Sequence, residues 1–150
     1  MKSLCLHSTC VAVGSHGVLL MGESGAGKSD LALRLIDRGA KLVADDQVEL
    51  TRKGNKVVAN APKRISGLLE VREVGLFKVR PKRNVRILLA VHLVGQEWIE
   101  RLPYPQMYEC LGVSIPRLHL SAFELSAAIK LEMAVAALQD NSMSVGALKE

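Results

Sequence analysis

The sequence predicts an α/β fold, a single domain with a mixed, β-rich sheet and flanking helices. Three observations carry that prediction. Val18-Leu19-Leu20-Met21 is a continuous apolar run that ends on a glycine and leads into a helical pattern. Between Lys41 and Val94 short β-type runs follow one another, separated by turn residues. Near the C-terminal end comes a longer, largely apolar helical stretch. The 150 residues contain no repeat, no low-complexity tract and no linker, so residues 1–150 are expected to form one unit.

Taken in order, Thr9–Val13 reads as a β-prone run and Gly14-Ser15-His16-Gly17 as a turn before the buried strand at Val18–Met21. From Ser29, the apolar Leu31, Leu33, Leu35 and Ile36 mix with Asp30, Arg34, Asp37 and Arg38, a helix that Gly39 stops in the C′ position. Lys41–Ala44 and Val48–Thr51 are strands flanking Asp45-Asp46. Lys53-Gly54-Asn55 is a turn, and Lys56–Ala59 is the partner strand. Leu68–Arg72 and Gly75–Val79 are strands around an irregular Glu73-Val74. Val85–Val94 is the longest β-type run, and Pro103 with Pro105 forces an extended loop. Ser121 and Glu124 form a capping box at the head of the last helix. Leu125, Ala128, Ile129, Glu132 and Met133 share one face of it, which is expected to pack on the sheet or on another subunit. The last ~10 residues are expected to fray.

Hydrophobic residues make up 49% of the chain and charged residues 23%, with a mean hydropathy of +0.18, all within the range of folded globular proteins. Aromatics are only 3%, which argues against a nucleic-acid binder that stacks bases on several rings. The net charge of +5 favours an acidic or phosphorylated partner. Much of the excess lies in Lys78, Arg80, Lys82, Arg83 and Arg86, which can be a solvated turn, a docking patch or a set of phosphate ligands. Cys5, Cys10 and Cys110 form no CxxC pair and leave one unpaired in any disulfide scheme, so free thiols in a reducing compartment are the simplest account. With no signal-peptide pattern and no apolar run near the ~18 residues of a membrane span, a cytoplasmic location is expected.

Gly22-Glu23-Ser24-Gly25-Ala26-Gly27-Lys28-Ser29 fits G-x-x-x-x-G-K-[ST] in full. Glycines are needed where the loop wraps phosphates, because a Cβ would block the close approach of the backbone. The exposed N–H groups and the start of the following helix form an anion nest. In this pattern Lys28 reaches the β- and γ-phosphates and Ser29 ligates Mg²⁺. A chance match in a chain of this length arises on the order of once in several hundred. The flanking strand and helix strengthen the reading, and ATP or GTP binding follows from it.

A P-loop enzyme also needs a carboxylate near the γ-phosphate, to hold Mg²⁺ or to take a proton. Asp45-Asp46 follow the next strand after the P-loop helix, and adjacent strand residues point to opposite faces, so at most one faces the phosphate directly. A plain Asp-Asp turn is the alternative. Glu70 interrupts an apolar run, where alternation alone makes it solvent-facing. His7 lies in an apolar N-terminal strand, where a lone histidine is more often structural.

GESGAGKSDLAL, RGAKLVADDQVEL and LLEVREVGL, in that order, resemble the catalytic domain of the bacterial HPr kinase/phosphorylase family, in its short form. His7 lies upstream at the spacing of that family's histidine. The resemblance implies an ATP-dependent kinase that phosphorylates a serine on an HPr-like phosphocarrier protein of a phosphotransferase system, with a reverse phosphorylase activity that yields pyrophosphate. It also implies a homo-oligomer, a hexamer in the family. By the resemblance Lys28 neutralises the transferring phosphate, Ser29 and Glu70 hold Mg²⁺, Asp46 takes the serine proton with Asp45 in support, and His7 assists near the phosphates. Two departures bear on the phosphorylase direction. Glu73 stands where the family's E-x-R-G-x-G segment has glycine. The arginine- and glycine-rich segment is reduced to something like Ile115-Pro116-Arg117-Leu118. Arg80 and Arg83 are candidates for the family's later arginine. A P-loop kinase of a small metabolite and a non-catalytic nucleotide-sensing module are the alternative readings.

Overall fold

The computed structural model describes residues 2–140. In chain order the strands are β1 (Ser3–Leu6), β2 (Thr9–Val13) and β3 (His16–Met21), followed by helix α1 (Lys28–Asp37). Then come β4 (Lys41–Ala44), β5 (Val48–Lys53), β6 (Lys56–Asn60), β7 (Leu68–Val71), β8 (Gly75–Lys78) and β9 (Val85–Leu93). The chain continues through β10 (Gln106–Cys110) and β11 (Val113–Leu120) into helix α2 (Ala127–Asp140). Among the described residues, no helix is long and apolar enough to cross a membrane.

The large sheet is mixed and runs β1-β5-β6-β9-β3-β2-β4, with β11 also paired to β9 and β10 to β11. β3, β9 and β11 are mutually parallel, and β2 runs antiparallel to both β3 and β4. The C-terminal ends of β3, β4, β9 and β11 therefore share one end of the sheet, where open α/β sheets bind their ligands. β7 and β8 form a separate hairpin.

Side-chain parity divides the core between the two faces. Val11, Val18, Leu20, Leu89, Val91 and Leu93 pack beneath α1 and α2. Cys10, Ala12, Leu19, Met21 and Ala90 point to the other face. Among the described residues no helix contributes to that cluster; Leu50, Val57, Ala59, Cys110 and Ile115 from the outer strands cover this face as the sheet curls. A bulge explains how β9 serves both faces. Gly17 pairs with Ile87 but Val18 pairs with Leu89, so Leu88 is an extra residue. Val85 and Ile87 consequently face the curled side, while Leu89, Val91 and Leu93, at the same parity, face the helices.

α1 ends in a Schellman motif, with Gly39 N–H donating to Ile36 O at 3.0 Å and Ala40 N–H to Leu35 O at 3.0 Å. The start of α2 corrects the capping-box expectation. Glu124 N–H and Ser121 O meet in a turn, and the first α-helical bond runs from Lys130 N–H to Ser126 O. The helix begins at Ala127, and residues 121–126 are a separate turn. The buried face is Ala127, Ala128, Leu131, Ala134 and Val135, whereas Ile129 and Met133 are exposed and Leu125 lies outside the helix. The expected fraying falls on residues 141–150, outside the described residues.

Candidate active site

The loop of residues 22–27 connects β3 to α1 at the ligand-binding end of the sheet. Its glycines are structurally required at two positions. A Cβ on Gly22 would lie 2.9 Å from the Leu93 carbonyl oxygen, and one on Gly27, at φ +98°, would lie 2.7 Å from Ala122 Cβ. Lys28 folds back across the loop, where Nζ donates to Gly22 O at 2.6 Å and to Glu23 O at 3.1 Å. An ammonium has three donors, so one remains for an anion in the cradle. Glu23, Ser24, Gly25 and Ala26 form the outer turn, closed by Ala26 N–H to Glu23 O at 3.0 Å.

Asp45 lies directly after β4 and is the hub of the site. Its Oδ1 accepts from Ser29 Oγ at 3.0 Å and from Thr9 Oγ1 at 3.2 Å, and its Oδ2 faces the Glu70 N–H at 3.4 Å. Asp46 turns the other way at φ +75°, a backbone state that aspartate tolerates better than most residues. Its Oδ1 pairs with His7 Nε2 at 2.8 Å, and both side chains are exposed. Ser8 helps to fix this geometry, donating its backbone N–H to Asp46 O at 3.1 Å and its hydroxyl Oγ to Leu20 O at 2.8 Å.

The adjacent aspartates thus divide, one toward the P-loop serine and one toward the histidine. Glu70 is brought to the site through its main chain, and its exposed side chain lines an open pocket of about 450 Å³ with Val71, Glu73, Val74, Gly75 and Leu76. The hydroxyl of Ser29 and the carboxylate of Asp45 converge as an all-oxygen pair. That donor set suits Mg²⁺, which takes one or two carboxylates and completes its shell with phosphates and water.

The whole of residues 1–150 matches the family model described as HPr Serine kinase C-terminal domain. The chain belongs to this family. Among curated relatives, the HPr kinase/phosphorylase of Bordetella pertussis is 41% identical over 143 residues, covering 87% of this chain and 46% of the relative. The protein of the same name from Azoarcus sp. is 39% identical over 148 residues, covering 89% and 47%. The chain therefore spans about half the length of the curated relatives it matches. The solved structure titled "Structure of the Hpr(Ser) kinase/phosphatase from Coxiella burnetii" superposes with a TM-score of 0.82 at 24% identity, covering 93% of this chain and 98% of that one. The family's fold is thus shared across nearly the whole chain.

Several residues at this end of the sheet escape a reading of motifs. Thr9 is buried and spends its hydroxyl on Asp45. Arg34, on α1, donates Nη2 to Ala122 O and Nη1 to Glu124 O at 3.3 Å, locking the 121–126 turn beside the P-loop. His92 and His119, register partners near the ends of β9 and β11, stack at 5.6 Å. Burial holds both imidazoles below their ordinary pKa, and the nearby Arg117 adds to the effect. A periodic pattern marks such residues only as strand members, because their partners lie far away in sequence.

Proposed function

We propose that this domain is the catalytic unit of an ATP-dependent protein-serine kinase whose substrate is a serine on an HPr-like phosphocarrier protein. The observation that carries the reading is the division of the acidic pair beside a complete P-loop: Asp45 meets Ser29 at 3.0 Å while Asp46 meets His7 at 2.8 Å. One carboxylate stands beside the P-loop serine, which supports a metal-holding role, and its exposed neighbour, paired with His7, supports the role of base.

In this reading the loop N–H groups and Lys28 bind the phosphates of ATP and neutralise charge as it develops. Ser29 would hold Mg²⁺, with Asp45 and Glu70 as the carboxylates, and the ion when bound would supply neutralisation of phosphate charge. Asp46 accepts the proton of the attacking serine hydroxyl. His7 orients that carboxylate through the Nε2···Oδ1 contact, so the pair acts as base and positioner. Most of the acceleration comes from positioning and charge stabilisation, as phosphoryl transfer requires. A cytoplasmic location and a homo-oligomeric state belong to the same reading, supported by the three free cysteines and by the exposed Ile129 and Met133 on α2.

The test is incubation with Mg·ATP and a purified HPr-type carrier, read by the carrier's intact mass. A gain of one phosphate on serine is expected, absent with Lys28→Ala. Asp46→Asn should abolish transfer and leave ATP affinity within about twofold, since it removes the base and not the cradle. Asparagine tolerates the same left-handed backbone, so the substitution isolates the carboxylate. Wild-type transfer by Asp46→Asn sinks the assigned base. ATP binding without phosphorylation of the carrier would favour the sensing module.

A further inference from the structure

Phe123 is one of only two phenylalanines in the chain, and 69% of it is exposed. It sits in the turn between β11 and α2, with one edge of its ring against the P-loop. A Cβ placed on Gly27 would lie 3.2 Å from Phe123 Cζ and 3.3 Å from Cε1. The backbone that carries this ring is held on both sides, because the Arg34 guanidinium donates to the carbonyls of Ala122 and Glu124. Glu124 N–H also donates to Ser121 O at 3.4 Å, and Ser121 itself is buried. A large apolar ring is thus held in water on a fixed backbone, at the rim of an anion cradle. It is not part of the packed core beneath the helices.

The direction of a bound nucleotide follows from the sheet order. Ser29 and Asp45 mark the end of the cradle where Mg²⁺ and the terminal phosphates belong. Asp45 follows β4, which reaches β3 through β2, whereas the 121–126 turn follows β11, which reaches β3 through β9. The acidic pair and Phe123 therefore lie on opposite sides of the P-loop. A triphosphate with its γ end at Lys28 and Asp45 runs its ribose and base away from the carboxylates, toward the turn. We propose that Phe123 is the platform on which the base of the bound nucleoside triphosphate stacks. Stacking on a ring is tolerant of the base and needs one exposed π-face on a fixed backbone, as found here.

This inference rests on the nucleotide-binding reading, and the experiment separates the two. The full chain is titrated calorimetrically with ATP and, separately, with inorganic tripolyphosphate, which has the phosphates but no base. Phe123→Ala should weaken ATP by about 5- to 100-fold and leave tripolyphosphate unchanged, while Phe123→Trp should keep ATP affinity near that of the wild type. Equal ATP affinity in the wild type and Phe123→Ala overturns the platform alone. Parallel losses for both ligands overturn it too, by showing that the ring supports the loop and not the base. A wild type that binds neither ligand overturns the phosphate cradle and the platform with it.

Discussion

Removing the Asp45 carboxylate should loosen the fold as well as the site, by an amount that its contacts set. Asp45→Ala leaves Thr9 Oγ1 and Ser29 Oγ without their acceptor, at 3.2 and 3.0 Å, and also takes away the long 3.4 Å contact from Glu70 N–H. The last is too long to contribute much. Ser29 is exposed enough for water to take over, so its loss costs about 1 kcal/mol. Thr9 is 1% exposed, and a hydroxyl stranded there costs about 1–2 kcal/mol. The sum is about 2–3 kcal/mol, which at an m-value of about 2 kcal/mol per molar moves the urea midpoint down by about 1–1.5 M. In a Thr9→Val background the same Asp45→Ala change should cost only about 1 kcal/mol, because the buried hydroxyl is already gone. Circular dichroism across a urea series reads both. A midpoint shift below about 0.3 M, or equal costs in the two backgrounds, would refute the claim that Asp45 ties β2 to the P-loop helix.

Two further predictions concern the backbone and pH. Glu73 occupies a left-handed conformation at φ +74° at the tip of the β7–β8 hairpin, which costs about 1–2 kcal/mol for a residue with a Cβ. Glycine gives back part of that through its freer unfolded chain, so Glu73→Gly should raise stability by about 0.5–1 kcal/mol in the same urea assay; a loss would contradict the strain. Burial pushes the Cys10 thiol up to about 12 from an ordinary value of 9.0. The unfolded chain therefore releases this proton first, and the contribution is whole below about pH 9 and shrinks by about 1.4 kcal/mol per unit as pH rises toward 12. Cys10→Ala should show a flatter alkaline decline than the wild type between pH 8 and about 10.5, and identical slopes would refute the assignment.

Much of the fold can be read locally. Val18–Met21, the helix that ends before Gly39, and the strands at Lys41–Ala44 and Lys56–Ala59 were all marked by apolar runs and by glycines at turns. Those signals come from residues within a few positions of one another. β10 and β11 had no such signal, because Gln106–Cys110 and Val113–Leu120 mix polar, charged and proline residues. They are strands because β9 offers β11 a parallel edge and β11 offers β10 an antiparallel one. The Ser121/Glu124 pair shows the converse. A valid local capping pattern was overruled by Arg34, which claims the carbonyls of Ala122 and Glu124 from 88 and 90 residues away.

The same boundary runs through the candidate site. From the sequence alone come the G-x-x-x-x-G-K-[ST] loop, the identity of its lysine and serine, and the presence of an acidic pair after the next strand, since each depends on residue type at fixed spacing. Tertiary structure alone decided which aspartate turns toward Ser29 and which toward His7. A change in φ at Asp46 separates two neighbouring side chains, and the contacts that hold them apart come from Thr9 on β2 and Ser29 on the P-loop helix for Asp45, and from His7 for Asp46. It also decided that an ordinary phenylalanine, 96 positions after Gly27 in the chain, stands at the edge of the cradle. Spacing encodes what a short segment can do by itself. Which segments meet is set by burial of both sheet faces, and that is a property of the whole chain.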